Sequence, residues 1–98
     1  MPDSATHIGV LSIHFLIPAA QSLKSKRRVL KSIKDRLRVQ FNVSVSEIGE
    51  HDKWQSCVVG VCMIGNDKNY MMAVLDGARL LVDGVDQVQV TRHQLDFI

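Results

Sequence analysis

The sequence predicts an α+β domain in which one four-stranded antiparallel sheet carries two helices on a single face. Three observations predict it. Four segments of eight to eleven residues alternate or concentrate apolar side chains, and two segments between them repeat apolar residues at helical spacing. The order along the chain is strand, helix, strand, strand, helix, strand. A chain of 98 residues suits one such domain, here residues 1–98, with a polar lead at 1–6 expected to lie outside the packed part and to be disordered.

Residues 8–17 (IGVLSIHFLI) read as the first strand. Leu11, Ile13, Phe15 and Ile17 share one face, and Ser12 and His14 lie on the other. Pro18 ends it, because proline brings no donor to a ladder. Ser22 is then an N-cap, and Leu23, Leu30, Ile33, Leu37 and Phe41 recur at the spacing of a helix. Residues 42–49 alternate Val43 and Val45 with Ser44 and Ser46, a second strand joined to the third by the polar connection 49–53. The third strand, 54–64, gathers Cys57, Val59, Val61 and Met63 on one face. Its two cysteines, Cys57 and Cys62, are an odd number of residues apart. They therefore face opposite sides, roughly 16 Å apart, and do not form a disulfide with each other.

Asn66 or Asp67 caps a second helix that ends near Asp83, with Gly84 at the C′ position. Its inner face comprises Tyr70, Met71, Val74, Leu75, Ala78, Leu81 and Val82. Gly77 inside it costs about 1 kcal/mol relative to Ala and is expected to admit a close helix contact. The last strand begins near Gln87 with Val88 and Val90 on one face. Apolar parity then changes to Leu95 and Phe97, which predicts a bulge around 91–93. This order of elements is that of the ferredoxin-like βαββαβ fold.

Charge is the strongest functional signal. Residues 22–40 hold eight of the twelve Lys and Arg residues and one acid, Asp35, a net charge of +7. The remaining residues sum to −5, so a total of +2 hides a basic segment on an acidic body. With Leu23 at zero and 100° per residue, the apolar face spans about 280° to 360°. Lys24, Arg27, Arg28, Lys31, Lys34 and Arg38 gather between about 20° and 140°. Lys24 to Arg38 makes a ridge of about 21 Å. Lys24, Lys26, Arg27 and Arg28 crowd the first turns, where the helix dipole disfavours each exposed cation by about 0.3–1 kcal/mol. An arrangement that costs stability points to an anionic partner. The expected phosphate-binding residues are Ser22, Lys24, Lys26, Arg27, Arg28, Lys31, Lys34 and Arg38. The competing reading is a solvated helix whose cations pair with Glu47, Glu50 or Asp83. Five aromatic residues and no stacking pair on the sheet leave backbone and shape as the features recognised.

Other chemistry is not signalled. His7, His14, His51 and His93 lack the spacing of a local metal site, and no cofactor motif occurs. His14 and His93 are expected on or beside the open face of the sheet. There is no GxSxG, no glycine-rich phosphate loop and no nucleophile–base pattern. Acylphosphatases of this fold carry an arginine-bearing loop after the first strand, where this chain has Ile17-Pro18-Ala19-Ala20. The reading is a non-enzymatic binding module without metal or cofactor. No apolar run is long enough to span a bilayer and no secretory signal is visible, so the expected location is cytoplasmic. The face away from the helices, including Val10, Ser12, His14, Leu16, Val58 and Cys62 with Trp54 at its rim, mixes apolar and hydroxyl groups. A homodimer through this open face is expected. The alternative function is a dimeric protein-interaction or small-ligand regulatory domain using the same face.

Several motifs resemble the YlxP-like family of small bacterial proteins, a family of unknown function. These are Ser22-Leu23-Lys24-Ser25-Lys26-Arg27-Arg28, Phe41-Asn42-Val43-Ser44-Val45 with Glu47, Asp52-Lys53-Trp54-Gln55, and Val59-Gly60-Val61. The resemblance implies the ferredoxin-like fold. The family's genes lie near those of translation initiation and ribosome maturation in many bacteria, which implies RNA or the ribosome as the anionic partner.

Overall fold

Apolar side chains at alternate positions give each central strand one continuous apolar face, and the helices cover it. The computed structural model describes residues 6–98; apart from Thr6, the expected disordered lead lies outside them. The elements are β1 (His7–Leu16), α1 (Leu23–Gln40), β2 (Ser44–Gly49), β3 (Ser56–Gly65), α2 (Lys68–Asp83) and β4 (Gln89–Phe97). The sheet order is β2-β3-β1-β4 and every neighbouring pair is antiparallel. This is the ferredoxin-like α+β architecture predicted above.

β1 and β3 pair along their full lengths, from His7 opposite Gly65 to Leu16 opposite Ser56. Their inward residues, Leu11, Ile13 and Phe15 with Cys57, Val59 and Val61, are buried beneath Leu30, Ile33 and Leu37 of α1 and Leu75, Ala78 and Val82 of α2. Cys57 is buried while Cys62 lies half-buried on the opposite face, and both are free thiols. The predicted bulge falls at Thr91: Arg92 pairs with His14 and Val90 with Phe15, so Thr91 is the extra residue. Its hydroxyl donates to the His14 carbonyl at 3.2 Å. A second bulge was not expected. Glu47 pairs with Val59 and Gly49 with Val58, which leaves Ile48 unpaired and laid over Gly60 on the open face.

Four details depart from the sequence reading. Residues 42–43 and 54–55 lie outside the regular strands. Tyr70 is 65% exposed, because it stands a full 100° round the helix from the buried Met71. Gly84 ends α2 with φ −87°, its N–H bonded to the Leu80 and Leu81 carbonyls, so no left-handed cap forms. His93 pairs with Ile13 and therefore takes the helix side of β4, beside Asp76 and Arg79, whereas His14 lies on the open face as expected.

Gly77 admits the Phe41 ring: a Cβ at this position would stand 3.1 Å from the ring edge. An ordinary helical Gly→Ala change gains about 1 kcal/mol. Gly77→Ala is expected to fall short of that gain in the wild-type background and to recover it when Phe41 is cut to Ala, a coupling measured by urea denaturation of the double-mutant cycle.

Candidate nucleic-acid interface

The first helix is fixed at its N-terminus by its own hydroxyls. Ser22 Oγ accepts from the Ser25 N–H at 3.0 Å, and Ser25 Oγ donates to the Ser22 carbonyl at 3.1 Å while accepting from the Gln21 N–H. The hydroxyl proton of Ser25 is thereby spent, whereas Ser22 retains one to offer a ligand. The loop before the helix is clamped by Gln55, whose Nε2 lies 3.0 Å from the carbonyls of both Pro18 and Ala20. No acid stands in the first turn of α1.

From this base the predicted cations divide. Lys24, Arg27 and Arg28 are exposed and make no ion pair among the described residues. Lys34 is half-buried and likewise unpaired there. Lys31 is exposed but bonds Asp35 at 2.7 Å, and Arg38 reaches Asp35 at 4.0 Å while donating through Nη2 to the Val45 carbonyl at 2.9 Å. The bond from Lys31, helped by the nearby charges of Arg38 and Lys34, holds the Asp35 carboxyl below the usual range. The ridge therefore carries its own partial neutralisation at its centre and is barest at the helix start.

Lys26 is the correction. Its side chain is 2% exposed and points into the protein, where Nζ lies 2.6 Å from the Glu50 carbonyl and 2.9 Å from Glu47 Oε2. The contact with Glu47 is ionic, since no directed hydrogen bond reaches that carboxylate oxygen. A lysine with this much desolvated surface is not available to a phosphate, so it leaves the expected set. The signal was present: at about 300° on the same wheel, Lys26 falls inside the apolar sector. Its aliphatic stem packs there while the ammonium reaches a polar partner.

That partner belongs to the β2–β3 hairpin. Glu50 has φ 60°, the left-handed region that a residue with a Cβ enters at a cost of about 1 kcal/mol. In this conformation its carbonyl receives both Lys26 Nζ and the Lys53 N–H, and its carboxylate pairs with Lys53 at 3.2 Å. His51 Nε2 adds a contact of 3.3 Å to the Glu47 carbonyl. Cys57 is fully buried near this pair. Burial pushes its thiol up to about 11, the Lys26 charge opposing the shift and the Glu47 charge adding to it.

The motif residues at the start of α1, at Glu47 and at 52–55 thus meet at one end of the molecule. Residues 8–95 match a family described as proteins of unknown function, DUF503. The chain belongs to that family. It is 34% identical over 84 residues to the uncharacterized protein YlxP of Bacillus subtilis (strain 168), covering 86% of this chain and 91% of that one. Among solved structures it resembles the de novo designed protein Foldit4, with a TM-score of 0.53, 16% identity and coverage of 93% of this chain and 96% of the other. That likeness is one of fold. In this DUF503 chain the cluster of motif residues contains both a buried tether and an exposed cationic rim, with different consequences for substitution.

Lys26→Ala strands Glu47 and is expected to cost roughly 3 kcal/mol in urea denaturation. Arg27→Ala and Arg28→Ala are expected to stay within about 0.5 kcal/mol of wild type. The Cys57 thiol should also give a pH signature. Its folded-state value lies above the unfolded one, so the protonated thiol contributes stability that is complete below pH 9 and is lost as pH rises from 9.0 toward about 11. The fall in melting temperature across that window should be shallower in Cys57→Ala.

Proposed function

We propose that this protein is a non-enzymatic module that binds the phosphate backbone of structured RNA, with ribosomal RNA as the first candidate, through the exposed flank of α1. The observation that supports this reading most directly is the set of unpaired cations at the helix start. Lys24, Arg27 and Arg28 are exposed beside the positive end of the helix dipole, with no acid in that turn to offset them. They gain nothing for the fold and become favourable when an anion arrives. Ser22 contributes its remaining hydroxyl proton, Lys31 and Lys34 extend the surface, and Arg38 marks its far end. A helix flank reads phosphate spacing and shape, not base identity. A cytoplasmic setting, where RNA is the abundant polyanion, fits the same reading, and no helix among the described residues is long and apolar enough to cross a membrane.

A second reading, a regulatory domain that binds a protein or small ligand on the open sheet, draws on one specific feature. An open depression of about 500 Å³ lies at the end of that face, lined by Leu16, Trp54, Gln55, Ser56 and the hairpin residues Asp52 and Lys53. Trp54 stands 54% exposed at its rim. Binding there would depend on apolar contact and respond weakly to salt.

The experiment is a titration of fluorescent ribosomal RNA fragments and duplex DNA across a salt series. Affinity for RNA is expected to fall steeply with salt, with the logarithmic slope reduced by about 2 in Arg27→Ala/Arg28→Ala. Asp35→Asn, which frees Lys31 and removes the negative charge 4.0 Å from Arg38, should strengthen binding. Salt-insensitive binding, or a tightening that fails to appear in Asp35→Asn, would overturn the basic flank as the site.

A further inference from the structure

The sheet has two edges, and they are finished differently. The outer edge of β2 is closed by side chains: Arg38 Nη2 bonds the Val45 carbonyl at 2.9 Å, and the bulge at Ile48 bends the strand out of register. β4 has no such cover. Among the described residues it pairs with β1 alone, and none bonds its outer main chain. Beyond the bulge at Thr91 the strand is regular from Arg92 to Phe97, and it contains neither proline nor lysine. Half of its N–H and C=O groups point outward, as in any antiparallel edge. Such an edge invites another strand unless something blocks it.

The side chains specify which strand fits. Arg92, Gln94 and Asp96 lie opposite His14, Ser12 and Val10, so all three stand on the open face of the sheet. They read plus, neutral, minus at alternate positions, a sequence that complements itself when reversed. We infer that the outer edge of β4 is the interface with a second copy of this chain, paired antiparallel about a two-fold axis at Gln94. In that register Arg92 stands opposite the partner's Asp96 and Asp96 opposite the partner's Arg92, at the Cβ distance of about 5 Å at which opposite charges attract. Gln94 meets its own copy at the axis. On the helix side, His93 stands opposite the partner's Leu95, beside the small cleft that His93 lines with Leu75, Arg79 and its own chain's Leu95.

Neighbouring registers lose this match. Centring the axis on His93 sets Arg92 against Gln94, and centring it on Leu95 sets Asp96 against Gln94. Neither charge has an ion-pair partner within the described chain; Asp96 accepts only a hydrogen bond from Gln94 Nε2 at 3.0 Å. The pairing differs from the face-to-face dimer expected from the sequence, because it leaves Val10, Val58 and Cys62 uncovered and joins two sheets into one of eight strands. A two-fold interface of this kind is isologous and closes on itself.

Charge swaps test it, with mass measured by light scattering at micromolar protein and folding checked by circular dichroism. Wild type is expected at twice the chain mass. Arg92→Asp and Asp96→Arg, each placing like charges opposite one another twice per dimer, should each weaken association roughly ten-fold. The double variant Arg92→Asp/Asp96→Arg restores both pairs and should restore the dimer. A wild-type monomer, a dimer indifferent to the single changes, or a double variant no better than the singles would overturn the proposal.

Discussion

The tether from Lys26 to the β2–β3 hairpin is the interaction on which the rest of this end of the molecule depends. An ammonium withdrawn from water costs several kcal/mol, and a single carboxylate seldom repays it. Here the deficit is met by two groups, the charge of the Glu47 carboxylate and the accepting carbonyl of Glu50. That carbonyl reaches Lys26 from a residue held in the left-handed conformation. The strain of one residue is therefore tied to the solvation of another 24 positions away. Gln55 repeats the logic nearby: its amide ties down two carbonyls of the loop before α1, those of Pro18 and Ala20.

This tether also explains how the helix tolerates a basic first turn. Three exposed cations at the positive end of α1 raise its energy, and Ser22 and Ser25 alone return about 1 kcal/mol through capping. Leu30, Ile33 and Leu37 supply the packing, while Lys26 locks the rotation of the helix, so that the same face stays inward under the repulsion of the outward one. With the rotation fixed, Lys24, Arg27 and Arg28 are held toward solvent. A stabilising cation and candidate binding cations thus share one five-residue stretch and are separated only by helical angle.

Much of this was legible in the sequence. Alternation in the strands, the N-caps at Ser22 and Asp67, the tight spot at Gly77 and the bulge at Thr91 each follow from a local rule, and each appears in the structure. What escaped has physical reasons. Gly49, next to Ile48, reads as the start of the hairpin connection rather than as the mark of a bulge, so parity alone placed the strand in even register. Tyr70 reads as apolar by type, yet one step of 100° takes it out of the buried sector. Lys26 illustrates a conflict between two cues: its position at about 300° belongs to the core, while its charge belongs to the surface. Position prevailed because Glu47 and the Glu50 carbonyl, far away in sequence, wait at the end of its reach. The role of Gln55 left no local trace, since its partners are the carbonyls of a loop 35 and 37 residues earlier.

The fold separates the two surfaces that carry the proposals. α1 packs over β2 and α2 over β4 and β1, so the basic flank and the free β4 strand lie toward opposite edges of the sheet. An anion on α1 and a strand on β4 do not compete for the same residues. In the proposed dimer, a two-fold axis at the β4 edge, running normal to the sheet, keeps all helices on one face of the eight-stranded layer. The two basic flanks then face the same direction from its outer margins, separated by on the order of 30 Å at the usual strand spacing. If both proposals hold, one rigid body carrying two cationic ridges would engage a polyanion at two points, and the second contact would form at the effective concentration set by that spacing rather than by free diffusion. A weak, shape-reading contact at each ridge would then be sufficient for a stable attachment wherever the phosphates of a folded RNA present two sites at that distance.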